Sequence, residues 1–177
     1  MPQQHVLTPE QISELATRLA GLRLSWSLAE LGRLTDELGW TVEAPPRHEG
    51  DAAIARTGLA VFDGLASVAL FGDGEGEIVV KVSDPADKGT VTATEVNRDA
   101  FATAVRAVTD VVGEAVDRRP GEDPEVRWPA TSGTLRVTQG LYFVELALVS
   151  EKYLRRRDEA LELSFEDEDD EAAGDAW

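Results

Sequence analysis

Three apolar runs, Ala53 to Phe62, Ala66 to Phe71 and Glu77 to Val82, are separated by Asp63-Gly64 and by Asp73-Gly74-Glu75-Gly76. Asp-Gly pairs accept the positive φ angles of tight hairpin turns, and short runs rich in Val, Leu, Ile and Phe between such turns read as strands. The spacing predicts an antiparallel meander over residues 53–82. The glycines at 72–76 do not form a phosphate loop. No Lys followed by Ser or Thr comes after them, carboxylates lie among them, and they join strand to strand rather than strand to helix.

Helical spacing dominates on either side of the meander. Thr8, Pro9 and Gln11 make a capping box with proline in the first turn, Leu7 and Ile12 a hydrophobic staple, and Ile12, Leu15, Ala16, Leu19 and Leu22 an apolar face for a helix over about residues 9–20. Ser27 to Glu30 repeats the box, with Trp26 and Leu31 as its staple. Leu28, Leu31, Leu34 and Leu38 form the stripe, and Gly39 is a left-handed stop that turns Trp40 back on the last turn. Trp26 and Trp40 are therefore core residues of an N-terminal helical hairpin.

A third helix, capped by Thr94 or Asn97, carries Phe101, Ala104, Val105, Val108, Val111, Val112 and Ala115. Residues 117–124, with two prolines and a glycine nearby, end it. Strands return at Glu125 to Trp128, Thr134 to Thr138 and Leu141 to Val149, and a last helix spans about residues 150–165. The expected fold is α+β: N-terminal helical hairpin, antiparallel β-meander, central helix, second antiparallel strand set and C-terminal helix. Residues 1–165 are expected to form a single domain and residues 166–177 a disordered acidic tail.

That tail holds Glu166, Asp167, Glu168, Asp169, Asp170 and Glu171 in one run, and six adjacent carboxylates cannot be buried in a packed domain. The whole chain carries a formal charge of -17, and residues 1–165 alone still carry -10, so the body is anionic as well. Nucleic-acid binding is excluded as an expectation, because it relies on cations that displace phosphate counterions. A basic protein partner is attracted instead. There is no cysteine, which removes disulfides and thiolate chemistry. No apolar stretch approaches the roughly 20 residues of a membrane span, and no secretory leader is recognisable at Met1 to His5. A cytoplasmic location without membrane contact is expected.

No motif names a reaction. His5 and His48 lie in an N-terminal segment and a post-proline loop, where exposed roles outweigh catalytic ones. Asp73, Glu75 and Glu77 alternate and could face a divalent cation, as a metal-dependent hydrolase would need. The calcium-loop pattern is not completed, however, and a solvated turn is the simpler account. Neither cofactor nor metal is expected. Glu145 interrupts the most apolar strand, so it must be paired, with Arg136 on the neighbouring strand or Arg127 beyond it, or else lie on an open face used for binding. Arg118, Arg119, Arg127, Arg136 and Arg155 to Arg157 concentrate in the second half. They form either a basic patch or a set neutralised in cis by the acidic run, the second being preferred. The run itself is either a solubilising end or a clamp for a basic surface, with Trp177 as an aromatic anchor.

The order helix, three strands, helix, strands, helix is similar to the type III secretion chaperone-like fold, which implies a protein-binding sheet and homodimerisation. Leu24-Ser25-Trp26-Ser27-Leu28, Pro124-Glu125-Val126-Arg127-Trp128 and the strand ending Tyr142 to Val149 resemble an uncharacterised actinobacterial family of small acidic proteins akin to immunity proteins. The resemblance implies no catalytic residue. The expected function is non-enzymatic protein binding, in the form of an immunity-like protein neutralising a basic toxin. The alternative is a secretion or assembly chaperone holding a client segment on its sheet. The partner-binding residues are expected to be Glu145, Glu166, Asp167, Glu168, Asp169, Asp170, Glu171 and Trp177.

Overall fold

The computed structural model describes residues 4–48, 50–85 and 91–173, the side chains of 91–93 and 164–173 excepted. Helix α1 (Pro9–Gly21) starts at the expected capping box: the Gln11 amide N–H donates to the Thr8 hydroxyl, and the Thr8 N–H donates to the Gln11 side chain. A short 3-10 turn, Leu28–Glu30, precedes α2 (Leu31–Leu38), which stops at Gly39 in the left-handed region. Strands β1 (Thr41–Ala44), β2 (Ala53–Arg56), β3 (Leu65–Gly72) and β4 (Glu75–Lys81) follow. Helix α3 is Val91–Val112. Then come β5 (Asp117–Arg119), β6 (Glu125–Ala130), β7 (Gly133–Gln139) and β8 (Val144–Val149), and α4 is Glu151–Ala173.

The fold is α+β, and the two strand sets are one eight-stranded antiparallel sheet of order β1-β2-β3-β4-β8-β7-β6-β5. The seam is β4 against β8, with Ile78 opposite Leu148 and Lys81 opposite Glu145. One face carries Val68, Ile78, Val80, Val126, Trp128, Leu135, Val137, Leu146 and Leu148, all buried with Ile12, Leu15, Leu19, Ala104 and Val108 of α1 and α3. Trp26 and Trp40 are both buried in this core. Of the β-branched residues that weaken α3 as an isolated helix, Val108 is held by that burial and Val105 and Val112 pack against it, while Val111, expected on the same face, is exposed.

Five local expectations are corrected. The run Ala53 to Phe62 is a strand only as far as Arg56. Thr57 turns away, bonding through its N–H to the Gly64 carbonyl, and Phe62 and Asp63 take positive φ before β3 begins. Residues 117–119, expected as a helix break, form the edge strand β5, while the last strand begins at Val144 rather than Leu141. Thr94 and Asn97 both lie inside α3 instead of capping it, and Asn97 is buried with its side-chain amide N–H donating to the Gly140 carbonyl. Helix α4 does not end near Phe165; its backbone is helical to Ala173, which displaces the expected start of the tail.

Both edges of the sheet are short and charged. The Glu43–Arg56 pair at 2.5 Å lies by β1, and Asp117, Arg118 and Arg119 make up β5. Such edges discourage pairing with a further strand.

Candidate functional site

Strand side chains alternate, so the residues that do not enter the core project from the opposite face. On β6 and β7 those residues are Glu125, Arg127, Thr134, Arg136 and Thr138. On β4 and β8 they are Glu75, Glu77, Val79, Lys81, Glu145, Ala147 and Val149. Helix α4 crosses this face. Leu154 and Tyr153 pack on Ala147, Val149 and Val79, and the Tyr153 ring lies 5.4 Å from that of Phe71.

Antiparallel register puts Arg127 directly opposite Arg136. Like charges in that position repel, and Glu125 resolves the repulsion. One of its oxygens binds Arg127 Nε; the other accepts from Arg136 Nη1 at 3.1 Å, from both terminal nitrogens of Arg157 at 3.2 Å and from the Thr138 hydroxyl at 3.1 Å. Arg127 continues outward to Asp158 of α4 with two parallel bonds of 2.7 and 2.8 Å, and Arg119 of β5 reaches the same carboxylate at 3.0 Å. Arg136 also reaches Glu77 at 3.3 Å. At the root of α4, Arg156 pairs with Glu75 at 2.8 Å, and the Ser150 hydroxyl caps the helix by accepting from the Tyr153 N–H. The face is an electrostatic clamp that joins α4 to β4, β5, β6 and, through the Thr134 hydroxyl and Glu151, β7.

Burial opposes ionisation of Glu125, whose side chain is 4% exposed, but the charges of Arg136, Arg157 and Arg127 outweigh it and hold the carboxyl at about 2. The bond from Arg127 likewise lowers Asp158, and the two carboxylates raise Arg127. A carboxylate so low and so fully engaged has no proton to exchange near neutral pH, so the cluster is unsuited to general acid–base work. Its folded value lies below the unfolded value near 4.5. The stabilisation is therefore complete above about pH 4.5 and is lost as pH falls toward 2. Acid unfolding followed by circular dichroism is expected to show this loss between those limits, and a Glu125→Gln variant to lack most of it.

Glu145 is paired, though not with the arginine the sequence suggested. Arg136 lies opposite Ala147, whereas Lys81 lies opposite Glu145, and their ammonium and carboxylate form the ion pair. The Lys81 ammonium also stands 3.6 Å from the centroid of Phe143 and 5.7 Å from that of Phe62. Neither aromatic stands out in the sequence as a site residue. Phe62 holds a left-handed backbone, its N–H fixed by the Asp84 carboxylate at 2.7 Å. The β4–β8 seam brings these groups together across more than sixty residues, and only Lys81 at the end of an alternating strand hinted at it.

The basic residues of the second half are consumed mainly inside the body. Arg119, Arg127, Arg136, Arg156 and Arg157 all face acids of the sheet or of α4, whereas the expected neutralisation of Arg155 to Arg157 by the acidic run falls on side chains outside the described residues. The side chains of Glu166 to Glu171, and Trp177 entirely, lie outside the described residues. Glu75 and Glu77 of the suggested cation site are engaged by Arg156, Lys152 and Arg136. Among the described residues no three His, Asp or Glu side chains are grouped to hold a metal ion, and no helix is long and apolar enough to cross a membrane.

Comparison with curated proteins and with solved structures returns no match. Residues 10–150, from α1 to the end of the sheet, match the model of a family of unknown function, DUF6301, and the chain belongs to that family.

Proposed function

We propose that this protein is a non-enzymatic binding domain for a basic protein partner. The supporting observation is where the positive charge has gone: five arginines are committed to the clamp and its margins, in pairs with Glu75, Glu77, Glu125 and Asp158. The formal charge of -17 is thereby left to be expressed outward, on exposed acids such as Glu10, Asp36, Asp99, Asp110, Glu122, Glu159 and Glu162. A field of that sign steers a cationic protein and repels nucleic acid. In its most concrete form the reading is immunity-like: the acidic body occludes a basic toxin and so neutralises it.

The test is capture from the source cells on the immobilised full-length protein at low salt, followed by titration of the purified partner. A basic partner is expected, with affinity falling on the order of tenfold between about 50 and 300 mM salt as the charges are screened. A partner bound equally well at both concentrations would overturn charge-driven capture and point to a client held on the sheet.

A further inference from the structure

The arginines on the second face of the sheet are paired without α4. Arg127 and Arg136 each reach Glu125 within the sheet, Arg136 also reaches Glu77 at 3.3 Å, and Arg119 pairs with Asp117 at 2.8 Å. Helix α4 lays a second set of pairs on top: Arg157 to Glu125, Asp158 to Arg127 and Arg119, and Arg156 and Lys152 to Glu75. Its apolar footing is also separate. Among the described residues the main core is closed by α1 and α3 and includes no side chain of α4, whereas Leu154 belongs to a small cluster with Ala147 and Val149, bordered by Val79 and Tyr153. The region that matches the family, residues 10–150, holds α3 and all eight strands and stops just before α4.

We infer that α4 is a detachable cover of the sheet, latched by its charge pairs: it lifts as a unit about Ser150 while the body from α1 to β8 stays folded, bringing Val79, Ala147 and Val149 to solvent. Breaking a buried ion pair is costly when it strands one charge. Lifting α4 strands none. Each guanidinium of the face keeps an acid of the sheet, while Arg156, Arg157, Asp158 and Glu75 return to water. Ser150 is the pivot, because its N–H donates to the Gly76 carbonyl and its hydroxyl accepts from the Gly76 N–H, which holds it on β4 as the helix beyond it moves. The device governs access to one face of the sheet. It is a property of this chain alone and does not rest on the binding reading.

The chain has no cysteine, so one introduced thiol is a unique reporter. Ala147→Cys places it under Leu154, and Ala104→Cys places it in the main core on α3; both positions are buried. In the full-length protein a thiol reagent is expected to label position 147 at least about 100-fold faster than position 104, because labelling follows the population of the opened form. Adding Asp158→Asn, which removes pairs between α4 and the sheet but none within the sheet, is expected to speed labelling at 147 at least about tenfold and to leave 104 unchanged. Hydrogen exchange of the unaltered chain makes the same comparison without a thiol: the amides of residues 154–158 are expected to exchange through a more populated opening than those of β8. Equal labelling at 147 and 104, or equal exchange protection of the two elements, overturns the cover, since α4 then opens only with the whole domain. An unchanged rate at 147 in the Asp158→Asn background overturns the charge pairs as its latch.

Discussion

Glu125→Ala is expected to lower stability by about 3–5 kcal/mol, because it leaves Arg127, Arg136 and Arg157 facing one another beneath α4 without their shared anion. In a chain of this length that corresponds to a fall in Tm of roughly 6–20 °C. Three features make the loss large. Arg127 and Arg136 are strand neighbours that cannot move apart without breaking register. Both guanidinium groups are buried. The apolar contribution to α4 docking, essentially Leu154 and Tyr153, is too small to hold the helix against repulsion. Differential scanning calorimetry of the variant, with Glu125→Gln as a partner that keeps the shape and removes only the charge, measures the effect. A loss below about 1 kcal/mol for both would show that the clamp contributes no more than an exposed ion pair.

Trp26→Ala is expected to cost about 3–5 kcal/mol as well, for an entirely different reason. Trp26 sits in a left-handed backbone conformation, φ 64°, between α1 and α2, and its indole is driven into the sheet. The indole N–H donates to the Ser132 carbonyl at 2.9 Å, and the Trp26 carbonyl accepts from the Gly72 N–H. The β6–β7 turn and the β3–β4 hairpin are thus pinned by one residue. The ring needs Gly76: a Cβ there would stand 2.6 Å from the indole and 2.5 Å from the Ala69 carbonyl oxygen. Gly76 also exchanges two hydrogen bonds with Ser150, the cap of α4. Gly76→Ala is therefore expected to destabilise by about 1–3 kcal/mol. Combined with Trp26→Ala it should lose less than the sum, since the missing indole relieves one of the two clashes. Chemical denaturation of the two single variants and the double variant closes this cycle. Strict additivity would show that ring and glycine do not touch energetically.

The elements that were legible in the sequence are those whose signals are local. The capping box at Thr8, the Gly39 stop and the 3.6-residue stripe of α1 depend on neighbours within a turn or two, and the structure shows each of them. The turn at Asp73-Gly74 was equally plain, because few residue pairs accept positive φ at both positions. Edge strand β5 was missed because Asp117, Arg118 and Arg119 carry no strand signature. They are extended only because β6 offers them partners. The extent of α4 was missed because a run of acids weakens intrinsic helix stability and so reads as a stop.

The α+β class, the antiparallel meander, most core positions and the sign of the electrostatic field could be read from the residues alone. Each follows from composition or from periodicities of two and 3.6 residues. Which charges meet depends on how the chain folds back on itself. The β4–β8 seam gave Glu145 to Lys81, and the crossing of α4 gave Glu125 to Arg157 and Asp158 to Arg127. Pairing between strands, or between helix and sheet, depends on Coulomb distance in space and carries no sequence period, so the arginines of the clamp were visible in advance while their partners were not.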